Sequence, residues 1–474
     1  MSPGYVAPPG SVPTLDVPDL TGVRSVHMIG IGGAGMRNLA RLLIARGIRV
    51  SGSDLKDSSA LRQLRDAGAE IFVGHSAEHV GSPDAVVISS AILERNVELT
   101  EARRRGIEVW MRAQALAAAA RDKRTIAVSG THGKTTITSM IGLLLERAGL
   151  DPTYVVGGEP NESGSGARSG AGDLFVAEAD ESDGSFLLFR PEVAIVANVE
   201  LDHVDFYRDG LGEIEAAFRA FADGSATVVA SADDPGAMRA LGGSSRAVTT
   251  YGTSPEADVH IEVSSVGPGG ARGTVALDGQ RIDVRLAVDG LHNLRNAAAA
   301  IAAAQAVGVP PDVGAEALAD FRGVHRRFER RGSARGAEFY DDYGHVPTEL
   351  AVTLDVARRT GPRRLVAVFQ PHRYVRTLVL WRELGASLVG ADVVVVTDVY
   401  GADQDPIPGV TGKLVVNGIV EADPHHRIVY LPHRRDVIAF LDAEVRPGDL
   451  VITMGCGDVW MVGDAALERI GAGA

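Results

Sequence analysis

With 474 residues the chain has room for about three domains, and its 45% hydrophobic and 23% charged residues suit ordinary globular cores, which excludes global disorder. The formal net charge of −14 argues against a nucleic-acid partner, because gripping a phosphate backbone takes basic surface, yet it leaves room for local sites that hold small anions. The lone cysteine, Cys456, excludes an intrachain disulfide and a cysteine-based zinc site and suits a reducing cytoplasm.

Residues 1–22 are proline-rich and lack the basic and apolar regions of a signal peptide, so a flexible arm is expected there. A strand over 23–29 runs into a glycine turn, then a helix over 36–46 and a strand over 48–52. The apolar run 85–89 has the character of a strand buried on both faces. A helix over 112–121 ends at the polar break Asp122-Lys123-Arg124, and a second unit opens with a strand over 125–128. Strands are expected at 174–177 and 193–197, and the Gly/Ser-rich stretch 157–172 is expected to be a surface loop. Strand-like alternation spans 258–287 with a turn at 267–270, and an alanine-rich helix covers 293–307. The most apolar run, 296–309, is shorter than the roughly 20 residues of a membrane helix, so no membrane insertion is expected. A third unit begins near Gly323, with strands at 338–340, 364–369, 393–396 and 450–453. Alternating strands and helices predict an α/β protein built on parallel sheets.

Three segments carry chemistry. Gly30-x-Gly32-x-x-Gly35 lies between a strand and a helix, where backbone N–H groups can approach a phosphate. Asp54, at the end of the next strand, stands where a dinucleotide fold keeps its ribose-binding acid. These residues alone fit NAD or a UDP-sugar equally well. Gly130-Thr131-His132-Gly133-Lys134-Thr135-Thr136 is a shortened phosphate loop, with Val128 where the strict Walker pattern needs glycine. Lys134 can reach the β- and γ-phosphates of ATP, and the Thr135 hydroxyl can ligate Mg²⁺. Glu178, Asp180, Glu181 and Asp183 follow one strand, and Asn198, Glu200, Asp202 and His203 follow another. Carboxylates crowded at strand ends beside an ATP loop predict a shared metal site.

Taken in order, the segments 30–36, 130–136, 178–183, 198–203, His292-Asn293, Arg326-Arg327-Phe328, 341–345 and 369–374 resemble the Mur ligase family, over nearly all of the chain after the arm. The resemblance implies a Rossmann-like UDP-sugar-binding domain (23–122), a central P-loop ATPase-type α/β domain (123–323) and a C-terminal Rossmann-like domain that takes the amino acid (324–474). It points to the alanine-adding branch, with UDP-N-acetylmuramate, L-alanine and ATP as substrates and Mg²⁺ or Mn²⁺ as cofactor. In that chemistry ATP phosphorylates the lactyl carboxylate, and the alanine amine displaces phosphate from the acyl phosphate. Sister branches use a carbamylated lysine after the metal-binding histidine; no lysine lies between Lys134 and Lys413, which favours the alanine-adding branch.

The resemblance also assigns roles. Lys134, Glu178, His203, His372 and Arg373 would be catalytic, and Thr135, Glu178 and His203 would hold the metal. Asn293, Arg327 and Asp342 would join the phosphate loop in holding ATP, and Arg326 would contact nucleotide or phosphate. Gly30, Gly32, Gly33, Ala34, Gly35, Asp54, Ser89 and Ser90 would hold the UDP-sugar, and His345, His372, Arg373 and Arg376 the amino acid. A cytoplasmic monomer or weak homodimer is expected. The chain departs from the family pattern at Arg37, Asn38, Ile137, Val346, Val375 and Cys456; Arg37 is expected to touch or crowd the UDP loop, and Val346 to cost one polar contact.

Overall fold

The computed structural model describes residues 16–472 apart from 159, 162–164, 205 and 403. The described chain forms two compact units. The first holds the N-terminal two thirds, up to Arg322, and the second holds everything from Gly323 together with the short segments 202–205 and 267–269.

The first unit contains two sheets. Strands β1 (Ser25–Ile29), β2 (Arg49–Asp54), β3 (Glu70–Val73), β4 (Ala85–Ile88) and β5 (Glu108–Met111) form a parallel sheet in the order β3-β2-β1-β4-β5. All four residues of β4 are buried, as expected of a parallel strand covered on both faces. The strand order reverses between β1 and β4, and ligands of open α/β sheets bind outside the carboxyl ends at such a switch point. Residues 16–22, expected to belong to the flexible arm, lie on this domain: Val17 and Leu20 pack against its core, and Gln114 donates to the Asp16 carbonyl at 2.8 Å. Residues 1–15 lie outside the described residues.

The second sheet has ten strands: β6 (Arg124–Ser129), β7 (Thr153–Val155), β8 (Ala167–Arg168), β9 (Leu174–Glu178), β10 (Val193–Val196), β11 (Thr227–Ser231), β12 (Val248–Gly252), β13 (Val259–Gly267), β14 (Gly270–Leu277) and β15 (Gln280–Leu286). Their order is β15-β14-β13-β12-β11-β10-β6-β9-β7-β8, so β6 lies between β10 and β9 with all three parallel. Three loops therefore leave the same edge side by side. The hairpin β14–β15 is antiparallel, and β15 alternates buried and exposed residues because one of its faces meets water. The helix Leu291–Ala306 buries Ala297 to Ala304 against the helix Lys134–Arg147; alanine lets the two approach closely.

The stretch expected to be a surface loop, 157–172, has mostly exposed or half-buried described residues and is tied to the first domain. Asn38 in the helix Ala34–Ala45 donates to the Val156 carbonyl at 2.7 Å, and Arg41 donates to the Ser165 hydroxyl at 3.2 Å. Gly166 is buried, and a Cβ there would fall 2.2 Å from the Asn38 amide nitrogen. That glycine serves close packing.

The second unit is built on one sheet of β16 (Glu329–Ala334), β17 (Ala337–Asp342), β18 (Arg364–Phe369), β19 (Val393–Val396), β20 (Ile428–Tyr430) and β21 (Asp449–Met454), ordered β16-β17-β21-β18-β19-β20. Only the β16–β17 hairpin is antiparallel, and apolar clusters fill both faces of the sheet. Among the described residues, no helix is long and apolar enough to cross a membrane.

Candidate functional site

At the edge of the ten-stranded sheet, the loops after β6, β9 and β10 interlock. Thr131 N–H donates to the Asn198 carbonyl at 3.2 Å, and Glu200 N–H donates to the Thr131 hydroxyl at 2.9 Å. Asn198 accepts from His132 N–H at 2.8 Å and donates through Nδ2 to His132 Nδ1 at 2.9 Å. Nδ1 is therefore the accepting nitrogen, which leaves Nε2–H to donate to Glu200 at 3.0 Å. Gly130 has φ +147, and a Cβ there would lie 3.0 Å from that of Ala197, so only glycine lets the β6 and β10 loops meet. Gly133, at φ +83, caps the helix that starts at Lys134 and so turns its N-terminal amides outward.

Lys134 folds back along this loop. Its Nζ donates to the Gly130 carbonyl at 2.5 Å and to both Glu181 oxygens at 2.9 and 2.8 Å. Burial works against the lysine charge, but the carboxylates of Glu181, Asp180 and Glu178 outweigh it and keep the ammonium protonated. Burial pushes the Glu181 carboxyl up to about 7 in spite of Lys134, and the Asp180 charge adds to the rise. The Thr135 hydroxyl donates to Glu178 Oε1 at 3.1 Å, and Glu178 Oε2 accepts from Gly157 N–H at 2.7 Å.

The carboxylates after β9 do not converge as the sequence suggested. Glu178 faces Thr135 and Glu181 faces Lys134, while Asp180 lies 3.7 Å from the Arg112 guanidinium and Asp183 caps Ser185 N–H at 3.0 Å. Among the described residues, no group of three or more His, Cys, Asp or Glu side chains is arranged to hold a metal ion. Of the expected metal ligands, the first unit brings Thr135 and Glu178 together. His203, at φ +49, lies 3.4 Å from Asp202 in the segment that belongs to the second unit. A hydroxyl and a carboxylate side by side still suit Mg²⁺, which takes oxygen ligands and keeps several waters or phosphate oxygens. Asn293 donates to the Asp289 carbonyl at 2.7 Å in the first turn of Leu291–Ala306, and Asn296 one turn on comes against Gly133. Asn296 carries no motif that singles it out in the sequence.

The glycine loop after β1 is held by β2. Gly30 and Ile31 N–H donate to the Ser53 carbonyl at 2.9 and 3.1 Å, and Gly32 N–H donates to Asp54 Oδ2 at 2.9 Å. Gly33 caps the helix that begins at Ala34, and Ser89 and Ser90 follow β4 across the switch point. Arg112 is a residue the motifs missed. Its guanidinium comes within 3.0 Å of where a Gly35 Cβ would stand and also approaches Asp180, so one cation touches the glycine loop and the β9 loop. Asn38 points away from the glycine loop, toward Val156.

A buried polar cluster backs the same edge. Glu98, wholly buried, accepts from the Ser53 hydroxyl at 2.5 Å, from Ser76 N–H at 3.1 Å and faces His27 Nε2 at 3.2 Å. His79 and His75 approach its other oxygen at 3.3 and 3.5 Å. Burial alone would raise its pKa, but these hydrogen bonds outweigh it and hold the carboxyl down at about 2.

In the second unit, Arg376 forms a bidentate pair with Asp202 at 2.8 and 3.1 Å, both 5% exposed. The same guanidinium donates to His372 Nδ1 at 3.0 Å, which makes that nitrogen an acceptor and the imidazole neutral. Burial, then the charges of His345, Arg376 and Arg373, hold His372 down at about 2, and burial holds His345 at about 4. His372 stacks on Tyr400 with ring centroids 5.8 Å apart, and Arg373 at φ +65 turns the chain into the following helix. Arg326 pairs with Asp341 at 2.8 Å, Arg327 with Glu349 at 3.2 Å, and both lie over the Tyr343 ring. Asp342 accepts from Phe328 and Gly344 N–H, both at 2.7 Å, so its carboxylate shapes the β17 turn from within. Val346 is buried ahead of the helix Pro347–Arg359, and burial pushes the Cys456 thiol up to about 12, which leaves no thiolate nucleophile.

Three family models match in succession: the Mur ligase family catalytic domain over residues 25–124, the Mur ligase middle domain over 128–304 and the Mur ligase glutamate ligase domain over 326–457. The chain is 46% identical over 462 residues to a UDP-N-acetylmuramate–L-alanine ligase of Thermobifida fusca, covering 94% of this chain and 96% of that protein. It is likewise 46% identical over 454 residues to the protein of that name from Rubrobacter xylanophilus, covering 94% of this chain and all of the other. Its fold matches the crystal structure of a UDP-N-acetylmuramate-alanine ligase from Thermotoga maritima with a TM-score of 0.80 at 28% identity, covering 95% of this chain and 100% of that one. A murein peptide ligase from Psychrobacter arcticus matches with a TM-score of 0.74 at 25% identity, covering 94% and 99%.

Proposed function

The chain belongs to the Mur ligase family, and from that premise we propose that it joins L-alanine to UDP-N-acetylmuramate at the expense of ATP in peptidoglycan precursor synthesis. The observation that carries this reading is the 46% identity, over nearly the whole of both chains, to a ligase of that name. The reading is supported by the 130–136 loop in the first unit, where Lys134 lies against Glu181 and Thr135 against Glu178.

The reaction needs a leaving group on a carboxylate. A lactyl carboxylate oxygen attacks the γ-phosphorus of ATP, ADP departs, and an acyl phosphate remains. The uncharged amine of alanine attacks the acyl carbon, and the tetrahedral intermediate expels inorganic phosphate as the amide forms and the nitrogen sheds a proton. Negative charge accumulates on phosphoryl oxygens, so Lys134 and the amides of the 130–136 loop supply the main stabilisation. By the family resemblance Thr135, Glu178 and His203 would be the ligands of Mg²⁺ or Mn²⁺, and the ion would supply neutralisation of phosphate charge. The glycine loop and Arg112 take the pyrophosphate of the UDP-sugar, with Asp54 holding the loop in shape. Asn293 and Arg327 contact the ATP nucleotide. Arg373 pairs with the alanine carboxylate, and Arg376, committed to Asp202, positions neutral His372 beside it. The enzyme works in the cytoplasm as a monomer or weak homodimer.

Phosphate release from ATP is expected to require UDP-N-acetylmuramate, L-alanine and Mg²⁺ together, and to fall to background when any one is omitted. A coupled phosphate assay with each omission checks this. Release without alanine would sink the reading, and release supported by a tripeptide in place of alanine would move it to a sister branch.

A further inference from the structure

We propose that Glu181 competes with nucleotide phosphate for Lys134 and thereby sets how tightly the site holds its nucleotide. The inference rests on the reading of 130–136 as the ATP loop and goes beyond it, because a phosphate loop needs a lysine but no carboxylate on that lysine. Both Glu181 oxygens lie within hydrogen-bond distance of Lys134 Nζ, at 2.9 and 2.8 Å, and the two side chains are 3% and 13% exposed. The lysine charge that phosphate would use is therefore already engaged by a buried anion. The Glu181 backbone is held independently of the lysine. The Tyr207 hydroxyl donates to its backbone carbonyl at 2.6 Å, and Gly184 N–H donates to the same carbonyl at 3.1 Å. Lys134, in turn, keeps the Gly130 carbonyl at 2.5 Å and the Thr131 carbonyl at 3.3 Å as neutral acceptors. Without Glu181 the loop therefore still holds the ammonium. The other carboxylates facing the pair are Asp180 and Glu178, and both favour the lysine charge.

The sign of the effect separates this role from a structural one. A residue that only braces the loop weakens nucleotide binding when replaced, whereas a competitor strengthens it. Titration calorimetry of ADP into the full-length protein without divalent metal is expected to give a Kd about tenfold tighter in Glu181→Gln than in the wild type, the scale of one charge-assisted hydrogen bond. Glu181→Asp, which keeps the charge but shortens its reach, is expected to fall between the two. In a Lys134→Ala background, Glu181→Gln is expected to change the Kd less than twofold. An unchanged or weaker Kd in Glu181→Gln overturns the proposal, as does full tightening in the Lys134→Ala background, which would assign the effect to repulsion alone. Absence of ADP binding to the wild type would instead overturn the ATP-loop reading itself.

Discussion

Replacing Lys134 with alanine is expected to lower ATP-dependent phosphate release by about a thousandfold or more while leaving the chain folded. The lysine head group lies on the 130–136 loop, bound to Gly130 and Glu181. The charged groups around it, Glu181, Asp180 and Glu178, are carboxylates, which cannot supply its positive charge as the phosphoryl group transfers. The fold tolerates the loss because Glu181, left without its partner, can take a proton: burial already lifts its carboxyl to about 7, and removing the ammonium lifts it further. The loss should fall mainly on kcat, since charge on the γ-phosphoryl oxygens peaks in the transition state. Steady-state kinetics with circular dichroism as a folding control checks the prediction; a variant that retains a tenth of the activity would remove Lys134 from the centre of the mechanism.

Replacing Glu98 with alanine is expected to cost about 3–5 kcal/mol of stability in the first unit, because it strips a buried charge from partners that stay behind. The Ser53 hydroxyl, Ser76 N–H and the imidazoles of His27, His75 and His79 all converge on that carboxylate. The contribution also depends on pH. The native carboxyl titrates near 2, below the usual 4.5, so its stabilisation is complete above pH 4.5 and drains away as the pH falls toward 2. Urea unfolding followed by circular dichroism at pH 7 and pH 3.5 should show the gap between wild type and Glu98→Gln shrinking at the lower pH. A gap that is constant or grows with acidity would mean that Glu98 is not charged in the native protein.

What the sequence disclosed follows physical lines. Strands with continuous apolar runs, such as β18 and β19, were legible to the residue, because burial on both faces leaves no room for polar residues. The edge strands β3, β8 and β20 were not, since they are short and only partly buried, and pairing rather than composition decides them. The 130–136 loop was legible because a phosphate-loop pattern has glycine and lysine at fixed spacing. Arg112, Asn296 and Glu98 were not, because each acquires its meaning from a partner distant in sequence: Asp180, Gly133 and His27. The departures at Asn38 and Val346 found explanations only in three dimensions, one in a hydrogen bond to Val156 and the other in burial.

The tie between Asn38, Arg41 and the stretch around Gly166 bears on how this chain can vary. Glycine- and serine-rich connections ordinarily absorb insertions and drift freely between lineages. Here such a connection is packed against the helix that follows the loop after β1, within one body. A lengthened or bulkier stretch would disturb that packing, so selection should guard a segment whose composition advertises tolerance.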